Sequence, residues 1–185
     1  MSRSNSAALP EHSTRSALSA FLFRQIFALT GFALFLLLVL AVAALATWNV
    51  SDPSLSYATD NPPTNILGLP GAVFADLMMQ FFGLGSLLAL LPVLAWSFAL
   101  IGGRRLNRIP ARIGAWFAGA LIAAAAVGCF PPPNTWPLPS GTGGVLGDLI
   151  LRFPALFIGA YPTSTFAMVL GGILALPATW LMLFA

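Results

Sequence analysis

The sequence predicts an all-α membrane protein: four transmembrane helices arranged as two hairpins, plus two short interfacial helices on the outer side. Two features of composition predict this class, because 58% of the 185 residues are hydrophobic and only 7% are charged. A third is that the charges leave long uncharged stretches between them. A soluble domain carries about 25% charged residues, so this chain could not cover its apolar surface in water. A free-standing soluble enzyme is therefore excluded.

The first span is predicted at residues 26–47, behind a disordered cytoplasmic tail at residues 1–25. Between Arg24 and Asp52 the chain has 27 residues without a formal charge, and a spanning helix needs about 20. Trp48 follows the span, where an aromatic side chain suits the membrane–water boundary. A cleaved signal peptide is the alternative, since basic residues precede the run. The run is too long for the apolar region of such a peptide, which has about 7–15 residues.

The other three spans are predicted at residues 77–101, 113–130 and 165–185. Pro92 and Pro177 should kink the second and fourth of these helices. Three consecutive prolines end the third. The last apolar run finishes without a charged flank, and we expect this chain to be the front end of a longer protein.

The arginines predict the orientation, because they accumulate in cytoplasmic segments near the ends of spans. Seven of the eight basic residues, all arginine, fall on one side of a four-span arrangement. Both termini and the loop 102–112 are therefore predicted to be cytoplasmic, and the loops 48–76 and 131–164 to lie outside. The predicted orientation depends mainly on Arg24, Arg104, Arg105, Arg108 and Arg112.

Residues 71–81 and 143–153 repeat one pattern, with Gly, Val, Asp, Leu and Phe at matching positions. Each half then consists of a span, an outer loop, a short helix that begins at glycine, and a span containing proline. Such a repeat predicts two hairpins of parallel topology. The short helices are interpreted as interfacial, since their polar residues lie four apart on one face.

The connection from each short helix to the next span differs between the halves. Prolines 154 and 162 are expected to separate the second short helix from the fourth span. In the first half only Gly83 and Gly85 could supply a bend. Without it, residues 72–101 would form one helix of about 45 Å, which exceeds the roughly 30 Å of the hydrocarbon core. Whether this segment is one helix or two stays open.

Asp76 is the candidate for proton or cation handling, because an acid within a membrane segment is costly and usually functional. The alternative places Asp76 at headgroup depth on the polar face of the interfacial helix. Gln80 beside it, and Asp148 at the equivalent position of a segment too short to span, favour this alternative.

Small residues recur every four positions in the third and fourth spans, which lets helix backbones approach closely in lipid. We expect these stripes to pack the bundle internally rather than to join subunits. They comprise Ala111, Ala115, Gly119 and Ala123 in one span and Ala167, Gly171, Ala175 and Thr179 in the other.

The residues of catalysis are sparse. The chain has no lysine, which excludes a phosphate-binding P-loop and Schiff-base chemistry. It has one histidine, His12, and one cysteine, Cys129, and its potential metal ligands have no usable spacing. We therefore expect no catalytic residue, cofactor or metal in this chain.

Two outer loops contain specific strings. The first has Ser-Asp-Pro-Ser at residues 51–54, Asn-Ile-Leu-Gly-Leu-Pro-Gly-Ala-Val-Phe-Ala-Asp at 65–76 and Phe-Gly at 82–83, and the second has Thr-Gly-Gly-Val-Leu-Gly at 142–147. These strings resemble the N-terminal membrane domain of the bacterial FtsK/SpoIIIE DNA translocases, over residues 26–185. The positions that carry the resemblance are Asp52, Pro53, Ser54, Gly68, Pro70, Gly71, Asp76, Gly83, Gly143, Gly144 and Gly147.

The resemblance implies a four-span anchor in the bacterial inner membrane at the division septum. In that family a linker and a hexameric motor follow, which moves chromosomal DNA with ATP during chromosome partition and division. ATP binding and DNA binding thus belong to the full-length family protein, and this segment should not contact nucleic acid. The implied partners are the lipid bilayer, other division proteins and further copies of the chain. The alternative function is a small transporter or channel component that uses Asp76 and the proline-kinked helices.

Overall fold

The computed structural model describes the backbone of residues 11–185 and the side chains of residues 18–157 and 159–185. Within this part the chain forms helices and no strand, which confirms the predicted fold class. The helices are α1 (Glu11–Ala46), α2 (Gly68–Phe82), α3 (Gly85–Ile101), α4 (Ile109–Gly128), α5 (Gly144–Ile158) and α6 (Ser164–Phe184).

Three of the described helices are long and apolar enough to cross a membrane: α1 from Leu18 onward, α4 and α6. The pair α2 and α3 meets the same test together but is bent by 110° between its two helices. The structure therefore has three candidate spans, or four when the bent pair is counted as one.

Helix α1 begins earlier than expected. Residues 11–25 were predicted to belong to a disordered tail, yet they are helical; residues 1–10 of that tail lie outside the described residues. No proline or glycine occurs from Glu11 to Thr30, so nothing in this stretch interrupts a helix. Its 36 residues reach about 54 Å, while the part from Arg24 to Ala46 reaches about 35 Å, close to the core thickness of about 30 Å.

The segment 72–101 is two helices. Gly83 ends α2 with a φ of 58°, a left-handed value that glycine adopts without strain, and α3 starts two residues later. The predicted second span, 77–101, was expected as one continuous segment, but it covers the end of α2, the bend and all of α3. Its 17 residues measure about 25 Å.

The second half needs a similar correction. Pro154 was expected to separate the short helix from the fourth span, but it lies inside α5, which continues to Ile158. The chain leaves α5 at Gly159, which has a φ of 78°. A proline forfeits one backbone hydrogen bond, and here that loss does not end the helix.

The long helices pack as two hairpins, α1 with α3 and α4 with α6, and α3 packs on α4 between them. At Gly31 of α1 the helices cross so closely that an added Cβ would lie 2.7 Å from Ser97 O of α3. In α4, Ala115, Gly119 and Ala123 are buried. An added Cβ on Gly171 of α6 would lie 3.0 Å from the carbonyl oxygen of Ala126.

The small residues of α6 do not all face α4. Ala167 and Gly171 are buried, as internal packing requires, but Ala175 and Thr179 are exposed. The expectation that Ala175 packs the bundle internally is therefore wrong. A helix has 3.6 residues per turn, so a stripe with a spacing of four drifts around the helix and leaves the contact.

Pro92 is fully buried in α3. A proline frees a carbonyl in the preceding turn, which a neighbouring helix can satisfy. The carbonyl that loses its helical donor to Pro92 is that of Leu88, and Trp116 of α4 donates its indole N–H to the next carbonyl, Ala89 O, at 2.7 Å. The same ring packs edge-on against Trp96, with 5.8 Å between centroids.

Candidate functional site

The residues that carry the family-like strings lie at one end of the bundle, which we call the loop face. It comprises the first loop (residues 47–67), α2, the second loop (residues 129–143) and α5. Three structures occupy it: a carboxylate network at Asp52, a second one at Asp76, and a junction of glycines.

Asp52 is buried, with 4% of its surface exposed. Its Oδ1 accepts hydrogen bonds from the backbone N–H of Thr64 at 2.9 Å and from the Thr64 hydroxyl at 2.8 Å. Its Oδ2 accepts one from Asn65 N at 3.0 Å. Burial alone would raise the pKa of Asp52, but these three donors outweigh it and hold the pKa below its ordinary value.

Asn65 connects the Asp52 network to helix α1. Its Nδ2 donates to Ala44 O at 2.8 Å and to Thr47 O at 3.2 Å. These carbonyls belong to the last turn of α1 and the residue after it, where helix carbonyls lack partners of their own. Asn65 therefore caps α1, and Asp52 holds Asn65 in place.

The same asparagine explains two glycines of the string that follows. Gly68 donates its N–H to Asn65 O at 2.8 Å and starts α2 with a φ of 67°. A Cβ on Gly71 would lie 2.2 Å from Asn65 Oδ1. Glycine is thus required at both positions, by conformation at one and by space at the other.

Asp76 lies on α2 at the loop face and is buried, with 4% exposure. Its Oδ2 accepts a hydrogen bond from Gln80 Nε2 at 2.9 Å and one from the hydroxyl of Ser56. Ser56 in turn lies 3.0 Å from Ser54, oxygen to oxygen. The carboxylate therefore fastens the Asp-Pro-Ser turn of the first loop onto α2 through neutral partners. These contacts give Asp76 a structural role at the loop face, as an acceptor for two side chains.

Asp148, at the equivalent position of α5, has a different environment. It forms an ion pair with Arg152 one turn later, at 3.2 Å between Nη2 and Oδ2. Tyr161 lies in the connection to α6. Partial burial of its ring, and then its proximity to the Asp148 carboxylate, raise the pKa of Tyr161 well above its ordinary value.

Glycines join the bend between α2 and α3 to the second loop, and we call this contact the glycine joint (Gly83, Gly143, Gly144 and Gly147). A Cβ on Gly83 would lie 2.0 Å from Thr142 O, and one on Gly144 would lie 2.7 Å from Gln80 O. Across the bend, Leu84 donates its N–H to Thr142 O at 2.8 Å. No side chain larger than hydrogen fits between these backbones.

The other side of the glycine joint rests on α4. A Cβ would lie 2.3 Å from Ala124 O if added to Gly143, and 2.7 Å from it if added to Gly147. Thr142 donates its hydroxyl to Val127 O at 2.9 Å and thereby caps the end of α4. The two halves of the molecule are therefore held together at the loop face by backbone contact. Trp48 and Trp136 add a contact between the loops, with ring centroids 6.2 Å apart.

The arginines that predict orientation lie at the opposite end, which we call the arginine end. Arg24 of α1 is next to Gly103, and the guanidinium of Arg105 lies over the ring of Phe27 at 5.7 Å. Arg108 is the residue before α4 and has a φ of 57°. Arg104 is exposed.

Arg112 ties the C-terminal end of α6 to α4. Its Nη1 donates to Ala185 O at 2.7 Å and to Phe184 O at 3.3 Å. Trp96 of α3 donates its indole N–H to the same Ala185 oxygen. Positive charge and N–H donors at the end of a helix satisfy its last carbonyls and its dipole.

Sequence reasoning did not single out Thr64 and Ser56. It quoted Asn65 and Thr142 only as members of the family-like strings and did not predict their roles as donors and caps of the loop face. One signal could have found the roles of Thr64 and Asn65. The first loop has no basic residue, so a buried carboxylate there needs neutral donors. Thr64 and Asn65 are adjacent polar residues directly before the helix start at Gly68.

Among the described residues no group of three or more His, Cys, Asp or Glu side chains could hold a metal ion. The arrangement at the loop face is suited to rigid presentation of two loops.

Comparison with known proteins gives a consistent result. The family model for the 4TM region of DNA translocase FtsK/SpoIIIE matches residues 24–184. A DNA translocase FtsK of Agrobacterium fabrum is 63% identical over 185 residues, which is 100% of this chain and 21% of that protein. The protein of the same name in Rhizobium meliloti is 57% identical over the same length, 21% of that protein. In Mesorhizobium japonicum it is 50% identical over 97% of this chain and 20% of that protein.

The chain spans about a fifth of the length of these curated relatives. No solved structure matches it.

Proposed function

Because this chain belongs to the family of the 4TM region of the FtsK/SpoIIIE DNA translocases, we propose that it is the membrane anchor and septum-targeting domain of a cell-division DNA translocase. It holds the translocase in the bacterial inner membrane, where the whole protein acts in chromosome segregation coupled to division. The observation that carries the proposal is the family match over residues 24–184.

The proposal assigns anchoring to this chain and the motor activity to the rest of the full-length protein. ATP hydrolysis belongs to the remainder of the full-length protein, since this chain has no lysine for a phosphate-binding loop. We assign DNA contact to that remainder together with the motor. The domain itself binds no cofactor and catalyses no reaction. It associates with further copies of itself, as a hexamer in the full-length protein.

The orientation proposed for the domain puts the arginine end in the cytoplasm and the loop face outside. The distribution of arginine supports it, since Arg24, Arg104, Arg105, Arg108 and Arg112 lie at the end of the bundle opposite the carboxylate networks. Single cysteines at Leu55 and at Asn107, each in a Cys129→Ser background, test it by labelling of intact cells with a membrane-impermeant maleimide. Labelling at Leu55 alone is expected; labelling at Asn107 alone would reverse the orientation.

The surface proposed to meet other division proteins is the first loop. Its apolar side chains Leu55 and Ile66 are 77% and 70% exposed, although this loop is pinned by the Asp52 and Asp76 networks. A rigid loop that presents apolar side chains to solvent is typical of a protein-binding surface.

A fluorescent fusion of residues 1–185 tests the targeting. We expect a band at the division septum, whereas a uniform signal around the envelope would contradict septal targeting. The double variant Leu55→Ser, Ile66→Ser should stay in the membrane and lose the band. The matched control is Leu156→Ser on α5, a side chain 79% exposed, which should keep it.

A further inference from the structure

A groove runs along the bundle between α3 and α6, and we call it the α3–α6 groove. Its volume is about 610 Å³, within the range of roughly 300–1,000 Å³ typical of ligand sites. The buried Ala123 and Ala126 of α4 form its floor. Exposed side chains of α3, among them Leu88 and Leu91, and the small residues of α6 line its walls.

The small residues of α6 leave the groove open. Gly172 and Ala175 are exposed and line it. A Cβ added to Gly172 would meet no atom within 4 Å. Gly172, together with the part of the small-residue stripe that does not pack against α4, therefore widens the α3–α6 groove, whose surface is largely apolar.

The two ends of the groove differ in charge. Arg104, Arg105 and Arg112 line it at the arginine end, and Phe130 lines it toward the loop face. No Asp or Glu is among the lining residues. The guanidinium of Arg112 donates to three carbonyls, of Asn107, Phe184 and Ala185. Arg104 and Arg105 are exposed, and the contact of Arg105 with the Phe27 ring leaves its N–H donors able to meet an anion.

We propose that the α3–α6 groove binds one anionic phospholipid, with an acyl chain along Leu88, Leu91 and Gly172 and the phosphate at Arg104 and Arg105. An apolar channel that ends in positive charge matches the chemistry of such a lipid along its length. Each basic residue near the membrane surface increases the affinity for an anionic headgroup about five-fold.

A second copy of this chain would complement the groove poorly. Copies in one membrane share an orientation, so the same arginines of a neighbour would lie at the same depth. Of the five acidic residues, only Glu11 precedes the first span, and the other four lie beyond it in the first loop, α2 and α5. Charge therefore favours an anionic lipid over a copy.

Native mass spectrometry of the purified chain in detergent tests the headgroup, with phosphatidylglycerol and phosphatidylcholine of identical acyl chains as probes. The wild type should retain one phosphatidylglycerol at least about ten-fold more tightly than phosphatidylcholine. The variant Arg104→Gln, Arg105→Gln should lose this preference.

The matched control for the headgroup is Arg24→Gln, Arg108→Gln. It removes the same number of charges at the arginine end from residues that do not line the groove, and it should keep the preference. Equal loss in both double variants would mean a diffuse surface attraction and would overturn the proposal.

Gly172→Leu tests the channel independently of charge. The leucine fills open space in the groove and should abolish retention of the tightly bound phosphatidylglycerol. Gly114→Leu is the control, since Gly114 also has open space beside it and does not line the groove. Circular dichroism melting should be the same for both variants.

Two outcomes of the channel test would contradict the proposal. One is that Gly172→Leu still retains one phosphatidylglycerol as tightly as the wild type. The other is that it changes the oligomer mass measured by light scattering, which would assign the groove to a second copy.

Discussion

The two halves of the molecule repeat one sequence pattern but use it differently. Asp76 of α2 is buried and accepts hydrogen bonds from neutral side chains, whereas Asp148 of α5 forms an ion pair with an exposed arginine. Gly83 after α2 is enclosed by the second loop, whereas Gly159 after α5 has open space around it. The repeat thus specifies local helix geometry, while packing decides which copy of each element stabilises the fold.

The exposed side chains of the two short helices show the same contrast. Helix α2 buries Gly71, Ala72, Ala75, Asp76 and Met79. Helix α5 packs on α4 through the fully buried Leu151, but Leu149, Phe153, Leu156 and Phe157 remain mostly exposed. The short helix of the first half, α2, is therefore packed into the loop face, whereas that of the second half, α5, leaves an apolar surface exposed.

The largest difference between the halves is expected at the two bends. Gly83→Ala forces a side chain into a left-handed conformation and against Thr142 O, so it should cost about 3–5 kcal/mol of unfolding free energy. Gly159→Ala has the strain without the clash and should cost about 1–2 kcal/mol. Denaturant unfolding in detergent, followed by tryptophan fluorescence, measures both. Equal losses of unfolding free energy in the two variants would contradict the close backbone contact at the glycine joint.

The next largest effect is expected at Asp52, which has no equivalent in the second half. Asp52→Ala leaves the backbone N–H groups of Thr64 and Asn65 without their acceptor and should cost about 2–4 kcal/mol. The Asn65 cap on α1 should loosen as well, which hydrogen exchange at the end of α1 would detect. Unchanged exchange there would contradict the role of Asp52 in holding Asn65.

The folded pKa of Asp52 lies below its unfolded value, which fixes the sign of a pH effect. The carboxylate stabilises the fold fully above an unfolded pKa of about 3.9, and this stability is lost as pH falls through the lower folded pKa. Melting temperature should therefore drop in that acidic window. Asp52→Asn should melt lower at neutral pH and show a smaller drop; an unchanged drop would assign the acid sensitivity elsewhere.

A smaller effect is expected at the matched acids. Asp76→Asn keeps one acceptor for Ser56 or Gln80 and should cost about 1–2 kcal/mol.

Asp148→Asn is expected to have the smallest effect, because its partner Arg152 is exposed and both residues belong to one helix. It should cost only about 0.2–0.5 kcal/mol. Melting temperatures of the two variants, recorded side by side, test the difference; an order reversed from this one would place the structural carboxylate in the second half.

Much of the fold followed from local chemistry in the sequence. Bilayer-length apolar runs predicted the helices, because a chain in lipid has to satisfy its own backbone groups. A bend at Gly83 or Gly85 was one of two alternatives, since no other residue nearby could turn the chain. The polar residues of the short helices were recognised as lying four apart on one helix face, and this spacing accounts for the ion pair between Asp148 and Arg152.

The remainder depends on contacts between distant segments. Asn65 caps α1 from 21 residues away, and nothing local in the sequence records where that side chain points. The prediction that Pro154 ends the short helix was wrong because packing can offset the cost of a proline inside a helix. Here Leu151 of α5 packs on α4. The exposure of Ala175 depends on the groove between α3 and α6, and therefore on where α3 lies as well as on the residues of α6.

The carbonyl oxygen of Ala185, shared between Trp96 of α3 and Arg112 of α4, has a mechanical consequence. A tension applied along the chain at the C-terminal end of α6 would not load that helix alone. The indole and the guanidinium would pass part of the load to two other helices, and through the glycine joint to the loop face. The bundle would then resist extraction from the bilayer as one body rather than helix by helix.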